Sequence, residues 1–302
     1  MASLLTRAGC FVAVILLGYL LRRVGYFKEE DFSLLGKVFL RITLPAAIIT
    51  GFAGRTIDVS MLLIAALGFG LCVLYMVVAY LVNLRNSREQ QAFDVLNLTG
   101  FNVCALTMPF LQSFLGSYSV VVASLFDMGN AAIGLGTSCG IAASIQDGKG
   151  FSFKRIGKAL STSVVLMTHI LMTILALAGV SLPWPVLDLA ELVGSGNTFL
   201  AMLMIGVGLR LPSDGKQLGK LLRLVLLRYS VGALMAMLFW RFLPFDRVVR
   251  LTLVMLALSP VITAAPAYTG ELKGDVGLSS AFNSLCIVLS IVIYTVLLSI
   301  ML

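Results

Sequence analysis

Charge and histidine are scarce in this chain: Asp, Glu, Lys and Arg make up 12% of 302 residues, and histidine occurs once, at position 169. One histidine and the absence of HExxH, CxxC or a Ser/His pairing leave no recognisable metal-dependent or nucleophilic enzyme signature. Neither a metal nor an organic cofactor is expected. The five cysteines (Cys10, Cys72, Cys104, Cys139 and Cys286) all fall within apolar runs. That placement argues against a disulfide framework and reads as small buried side chains. The glycines of GLGTSCG have neither a preceding strand nor a phosphate-binding lysine, so they form no nucleotide loop and read as helix-packing residues.

What fills the chain instead is apolar sequence: 59% hydrophobic, with a mean hydropathy of +1.02. Runs of roughly 20 residues, each able to cross a hydrocarbon core of ~30 Å, recur along its length. Ten are predicted: 3–21, 34–52, 61–82, 93–115, 120–145, 156–180, 192–211, 218–242, 248–268 and 276–301. The expected fold is therefore an all-α polytopic membrane protein whose surrounding partner is the lipid bilayer. The first run lacks a small-residue cleavage site and reads as a retained span, not a removed signal.

The net charge of +8 invites a nucleic-acid reading, but its distribution points elsewhere. Loops after odd-numbered spans carry Arg22, Arg23, Lys28, Lys37, Arg85, Arg88, Lys149, Lys154, Arg155, Lys158, Arg210, Lys216, Lys220, Arg223 and Lys273. The opposite side carries only Arg7, Arg55, Arg241, Arg247 and Arg250. The positive-inside rule makes the odd loops cytoplasmic and puts both termini outside a cell membrane, plasma or bacterial inner. No folded domain remains to bind nucleic acid.

The connection IQDGKGFSFKR separates five spans from five, giving a first repeat over 1–145, a cytoplasmic loop over 146–155 and a second repeat over 156–302. Because five is odd, the halves enter the membrane in opposite directions, as in inverted-repeat transporters. Corresponding interruptions support the symmetry. Span four contains GFNVCALTMPFLQSFLG, with Asn102 and Pro109; span nine contains SPVITAAPAYTG, with Pro260 and Pro266. Each is followed by a span with an internal asparagine, Asn130 or Asn283. A proline deletes a backbone hydrogen bond, and an orphaned carbonyl in hydrocarbon costs several kcal/mol. Paired breaks of this kind offer helix N-termini at mid-membrane, where an anionic group can be held without a buried cation.

These residues resemble the auxin efflux carrier family, which includes plant auxin exporters and shorter bacterial organic-anion carriers. The likeness rests on FLRITLPAAIITGF in span two, the asparagine seven residues before the proline in NVCALTMP, the glycine-rich fifth span and SPVITAAPAYTGELKGDVGLSSAFNSL. The resemblance implies two inverted five-helix repeats with spans four and nine crossing at their breaks. It further implies a homodimer in which spans one, two, six and seven support a moving transport domain, and a small organic anion bearing a carboxylate as substrate. Carried onto this chain, the substrate site comprises Asn102, Thr107, Pro109, Asn130, Pro260, Thr263, Pro266 and Asn283. Cys104 and Thr107 stand where members often have glycine, and span seven lacks a proline mirroring Pro45. A sodium-coupled bile-acid-type symporter has a similar architecture, but span nine has no acidic residue between Arg250 and Gly270 to help bind sodium. A channel would need polarity along much of a pore, whereas here it gathers near the breaks.

Asp127 is the only acidic residue deep within a predicted span, on a stripe with Asn130, Gly134 and Thr137 or Ser138. It reads either as part of a helix-packing face or as a titratable group for proton coupling. Arg41 and Arg228 read as side chains snorkelling to the cytoplasmic interface, with an anion-attracting role also open to Arg41. His169 reads as a satisfied core histidine. The topology has a direct check: in a cysteine-free background, a cysteine at Ser152 should react with an impermeant thiol reagent only from the cytoplasmic side, and one appended after Leu302 only from outside.

Overall fold

The computed structural model describes residues 2–28, 30–148, 152–210 and 217–301. Lys149 and Lys216, two of the cytoplasmic charges above, and part of the 146–155 connection lie outside the described residues. Among the described residues there is no strand. Seven helices are long and apolar enough to cross a membrane, or eight if Phe153–Thr162 and Val164–Leu177, bent by 68° at Ser163, count as one span. Two further predicted runs are also helical. Run one is Ala2–Arg23, and run nine is two pieces, Arg247–Ala257 and Ala265–Glu271, with 258–264 unwound between them. The runs are called segments one to ten below. Segment seven begins at Trp184, earlier than the sequence predicts, because the amphipathic turn holding Asp188 and Glu191 falls below a hydropathy threshold yet continues the helix.

Proline shapes segments two and four through the turn that precedes it. Phe39–Thr43 and Val103–Thr107 are single π-helical turns, each followed by an α-helix with proline in its first turn, Pro45 and Pro109. A proline ring clashes with the carbonyl four residues back; widening that turn by one residue relieves the clash and leaves the helix continuous. Pro109 therefore does not break segment four, contrary to the sequence expectation. The interruption lies earlier, at Thr99–Asn102, where Gly100 adopts φ +86°. In segment nine, Pro260 sits in the unwound stretch itself and Pro266 opens the next helix, where its missing N–H has no helical partner to lose.

Packing sorts the segments into two groups. Segment one packs on seven, seven on two, and two on six; segments three and four pack on five, eight on nine, and nine on ten. Segment five meets segments two and six, and segment one meets ten, along the seam between the groups. Glycine sets the closest approaches within each group. A Cβ on Gly206 would lie 2.0 Å from the Ile15 carbonyl oxygen, and one on Gly18 would lie 2.4 Å from that of Leu203, so segments one and seven touch backbone to backbone. Gly68 and Gly129 do the same for segments three and five, at 2.2 Å from the Phe126 oxygen and 2.0 Å from the Ala65 oxygen. Lipid offers little hydrophobic drive for helix association, so close van der Waals contact between small residues carries much of it.

These contacts make a paired prediction. Gly129→Ala forces a methyl into backbone and should lower stability by about 1–3 kcal/mol, read as a lower thermal unfolding midpoint in detergent. Gly70→Ala, with nothing within 4 Å of its added Cβ, should leave the midpoint unchanged or slightly raised.

Candidate functional site

The interruptions of segments four and nine are bonded to each other. The Asn102 backbone N–H donates to the Pro260 carbonyl at 2.8 Å, while the Asn102 side-chain oxygen accepts from Ala105 N at 3.3 Å and caps the turn that follows. Thr107 closes the contact from below: its hydroxyl bonds the Asn102 carbonyl (3.2 Å), Ser259 Oγ (2.7 Å) and Tyr294 OH (2.9 Å). Gly100 faces Ile262 so closely that a Cβ would meet it at 3.2 Å.

Each neighbouring asparagine secures one interruption. Asn130 accepts from Phe101 N (2.9 Å) and donates to Phe101 O (3.0 Å), giving that residue the backbone-like pair the helix no longer supplies. Asn283 donates to Ile262 O at 3.2 Å. Cys72 Sγ and Asp127 Oδ1 occupy the rest of the Asn130 amide, so Asn130 is engaged on every side.

Arg228 overturns its sequence reading. It lies 1% exposed, about 15 Å along the helix axis from Leu218, too far in for its head to reach the interface. Its guanidinium donates to the carbonyls of Leu98 (2.7 Å), Ser259 (2.8 Å) and Pro260 (3.3 Å) and lies against the rings of both Tyr75 and Phe101, 4.4 and 4.3 Å from their centroids. These are the carbonyls that the two interruptions orphan. The crossing thus does contain a buried cation, which the sequence reading did without, and its charge is balanced by carbonyl dipoles and aromatic faces.

A cavity of about 430 Å³ opens beside the segment nine interruption, between that segment, segment ten and the ends of segments one and seven at Arg22 and Gly208. Thr263, Pro266 and Asn283 line it, with Arg22 and Arg210, and none of its described lining residues is acidic. Arg22 donates to the Val207 and Leu209 carbonyls at 2.7 and 2.6 Å, so its charge is fixed at the end of segment seven. The structure therefore divides the predicted site. Thr263, Pro266 and Asn283 border the cavity, whereas Asn102, Thr107, Pro109, Asn130 and Pro260 are packed in the crossing behind it.

Residues 10–141, from segment one into segment five, match the membrane transport protein family. Over that part of the chain the match supports the likeness to auxin efflux carrier-type transporters. No curated protein matches the chain. Its apolar helices make it a multi-pass membrane protein, and the match points to transport.

His169 is a fully buried histidine with a partner, in line with its sequence reading: its Nε2 lies 3.3 Å from Asp127 Oδ2, and Cys104 Sγ donates to the same oxygen at 3.1 Å. The same thiol lies 3.9 Å from His169 Nε2. A second buried acid lies nearer a segment end. Asp94, near the start of segment four, is fully buried and bonded to Asn83, Gln90 and Arg223. The proximity of Arg223, on segment eight, could not be read along the chain. No sequence signal linked Cys104, Asp127 and His169 either, but an arginine ten residues inside an apolar run did mark Arg228.

Replacing Arg228 tests the crossing. Lysine keeps the charge but not the planar fork that spans three carbonyls. Arg228→Lys should therefore cost roughly 2–4 kcal/mol, the scale of losing one or two charge-assisted bonds to buried acceptors. A chemical denaturation midpoint equal to wild type would remove Arg228 from this role.

Proposed function

We propose that the protein is an elevator-type secondary carrier for a small organic anion, a mono- or dicarboxylate or an auxin-like acid. In this reading ten spans form two inverted repeats, both termini face outward, and segments one, two, six and seven are the fixed scaffold of a homodimer. The remaining segments move against that scaffold.

One observation carries the anion reading: among its described residues the cavity at the segment nine interruption is bordered by Arg22 and Arg210 and by no carboxylate. Its volume of about 430 Å³ lies within the range of small-molecule sites, and Thr263, Ser280 and Asn283 add neutral hydrogen-bonding groups. The paired asparagines support the inverted repeat. Asn130 and Asn283 each donate to a carbonyl in the interruption of the preceding segment. Asn102 Nδ2 is a buried donor without a partner, a group that a substrate carboxylate could satisfy once the crossing shifts. Asp127 lies outside the cavity lining and is held by Cys104, Asn130 and His169, which favours a role at the seam between the groups over a coupling role.

Reconstitution in liposomes with labelled aliphatic mono- and dicarboxylates and indole-3-acetate, under imposed sodium or proton gradients, tests the assignment. Uptake of at least one of these anions is the expected result; strict dependence on sodium would favour the bile-acid-type alternative. Arg22→Gln and Asn283→Ala should each weaken binding of the transported anion about tenfold, or ~1.4 kcal/mol. Unchanged affinity in both variants would move the site out of the cavity.

A further inference from the structure

Cys104, Asp127 and His169 bring a thiol, a carboxylate and an imidazole to one point from segments four, five and six. We infer that they form a binding site for a borderline-soft divalent metal such as Zn2+ or Co2+, and that the bound metal staples the two helix groups together. The three ligand atoms lie 3.1 Å (Sγ to Oδ2), 3.3 Å (Nε2 to Oδ2) and 3.9 Å (Sγ to Nε2) apart. A tetrahedral zinc with Zn–S of ~2.3 Å and Zn–N and Zn–O of ~2.0–2.1 Å requires separations of about 3.3–3.6 Å. Shifts of a few tenths of an ångström bring the trio to that geometry. The group is preformed on three different helices.

Charge makes the site suit its surroundings. A divalent ion bound by one thiolate, one carboxylate and one neutral imidazole is neutral overall, so it avoids the cost of a net charge in hydrocarbon. Starting from a thiol, an ionised Asp127 and a neutral His169, binding releases one proton, from Cys104, and His169 coordinates through Nε2 as the Nδ1–H tautomer. Asn130 Nδ2 donates to the other Asp127 oxygen at 2.8 Å, the kind of supporting bond that orients a ligating carboxylate. The His169 and Asp127 side chains are 0% and 10% exposed, and Cys104 is half-buried. Sulfur and imidazole ligands favour zinc or cobalt over magnesium and calcium.

The staple rests on the two-group reading of the carrier. Cys104 and Asp127 belong to the group proposed to move and His169 to the proposed scaffold, so a metal joining them holds the seam in the arrangement seen here.

The purified full-length protein in detergent, titrated with Co2+ alone, tests the site without any transport measurement. Wild type should bind one ion with a thiolate-to-cobalt charge-transfer band that Zn2+ abolishes. Cys10→Ser, which removes an exposed cysteine elsewhere, should retain the band. Cys104→Ser should lose it, and His169→Gln, which keeps the thiol, should bind at least tenfold more weakly. No band in folded wild type, or an undiminished band in either Cys104→Ser or His169→Gln, overturns the site. Zn2+ should also slow amide hydrogen exchange in wild type over 103–107, 120–130 and 164–173. A cobalt band with unchanged exchange across the seam would overturn the staple while leaving the metal site standing. Failure of anion uptake with the band intact would count against the transport reading alone.

Discussion

A backbone carbonyl that leaves a helix inside a membrane has no water to turn to, and the rest of this structure is arranged around that constraint. Segments four and nine both unwind near their middles, and the groups released there are collected by a small set of side chains. Arg228 takes carbonyls from both segments, Asn130 takes both polar groups of Phe101, and Asn283 takes the carbonyl of Ile262. Buried arginine is costly unless its donors are used. Here the cost of the cation and the cost of the orphaned carbonyls offset one another, which makes each the condition for the other.

The proline-bearing turns show a gentler answer to the same constraint. Before Pro45 and Pro109 the helix widens by one residue and continues, so proline need not open the chain. Opening it takes a glycine at positive φ in segment four and a seven-residue unwound stretch in segment nine. The distinction matters for the site, because it moves the interruption of segment four from Pro109 back to Gly100 and places Asn102 at the start of the returning helix.

Around this crossing the molecule separates tight from adaptable contacts. Glycines bring segments one and seven, and three and five, to backbone contact, which fixes each pair as a unit. Across the seam, by contrast, polar side chains meet, as Asp127 of segment five does with His169 of segment six. Such contacts can be exchanged for others without opening a void in a packed core, which suits surfaces that move past one another.

The sequence by itself determined the solvent, the helical class and the family likeness, because hydrophobic run length is a local property and a membrane admits few ways of satisfying a backbone. It also located both interrupted segments through their prolines and asparagines, and it picked out Thr263, Pro266 and Asn283, which border the cavity. Tertiary structure decided which of the polar residues face that cavity and which serve the crossing. Asn130 and Thr107 look as free as Asn283 when read along the chain, but their hydrogen bonds are completed by Phe101, Ser259 and Tyr294. The meeting of Cys104 with Asp127 and His169, and of Arg228 with Leu98 and Pro260, was likewise settled only by helix packing. Partners separated by tens to more than a hundred residues leave no periodic trace in a sequence, since the geometry that joins them exists only once the helices have docked.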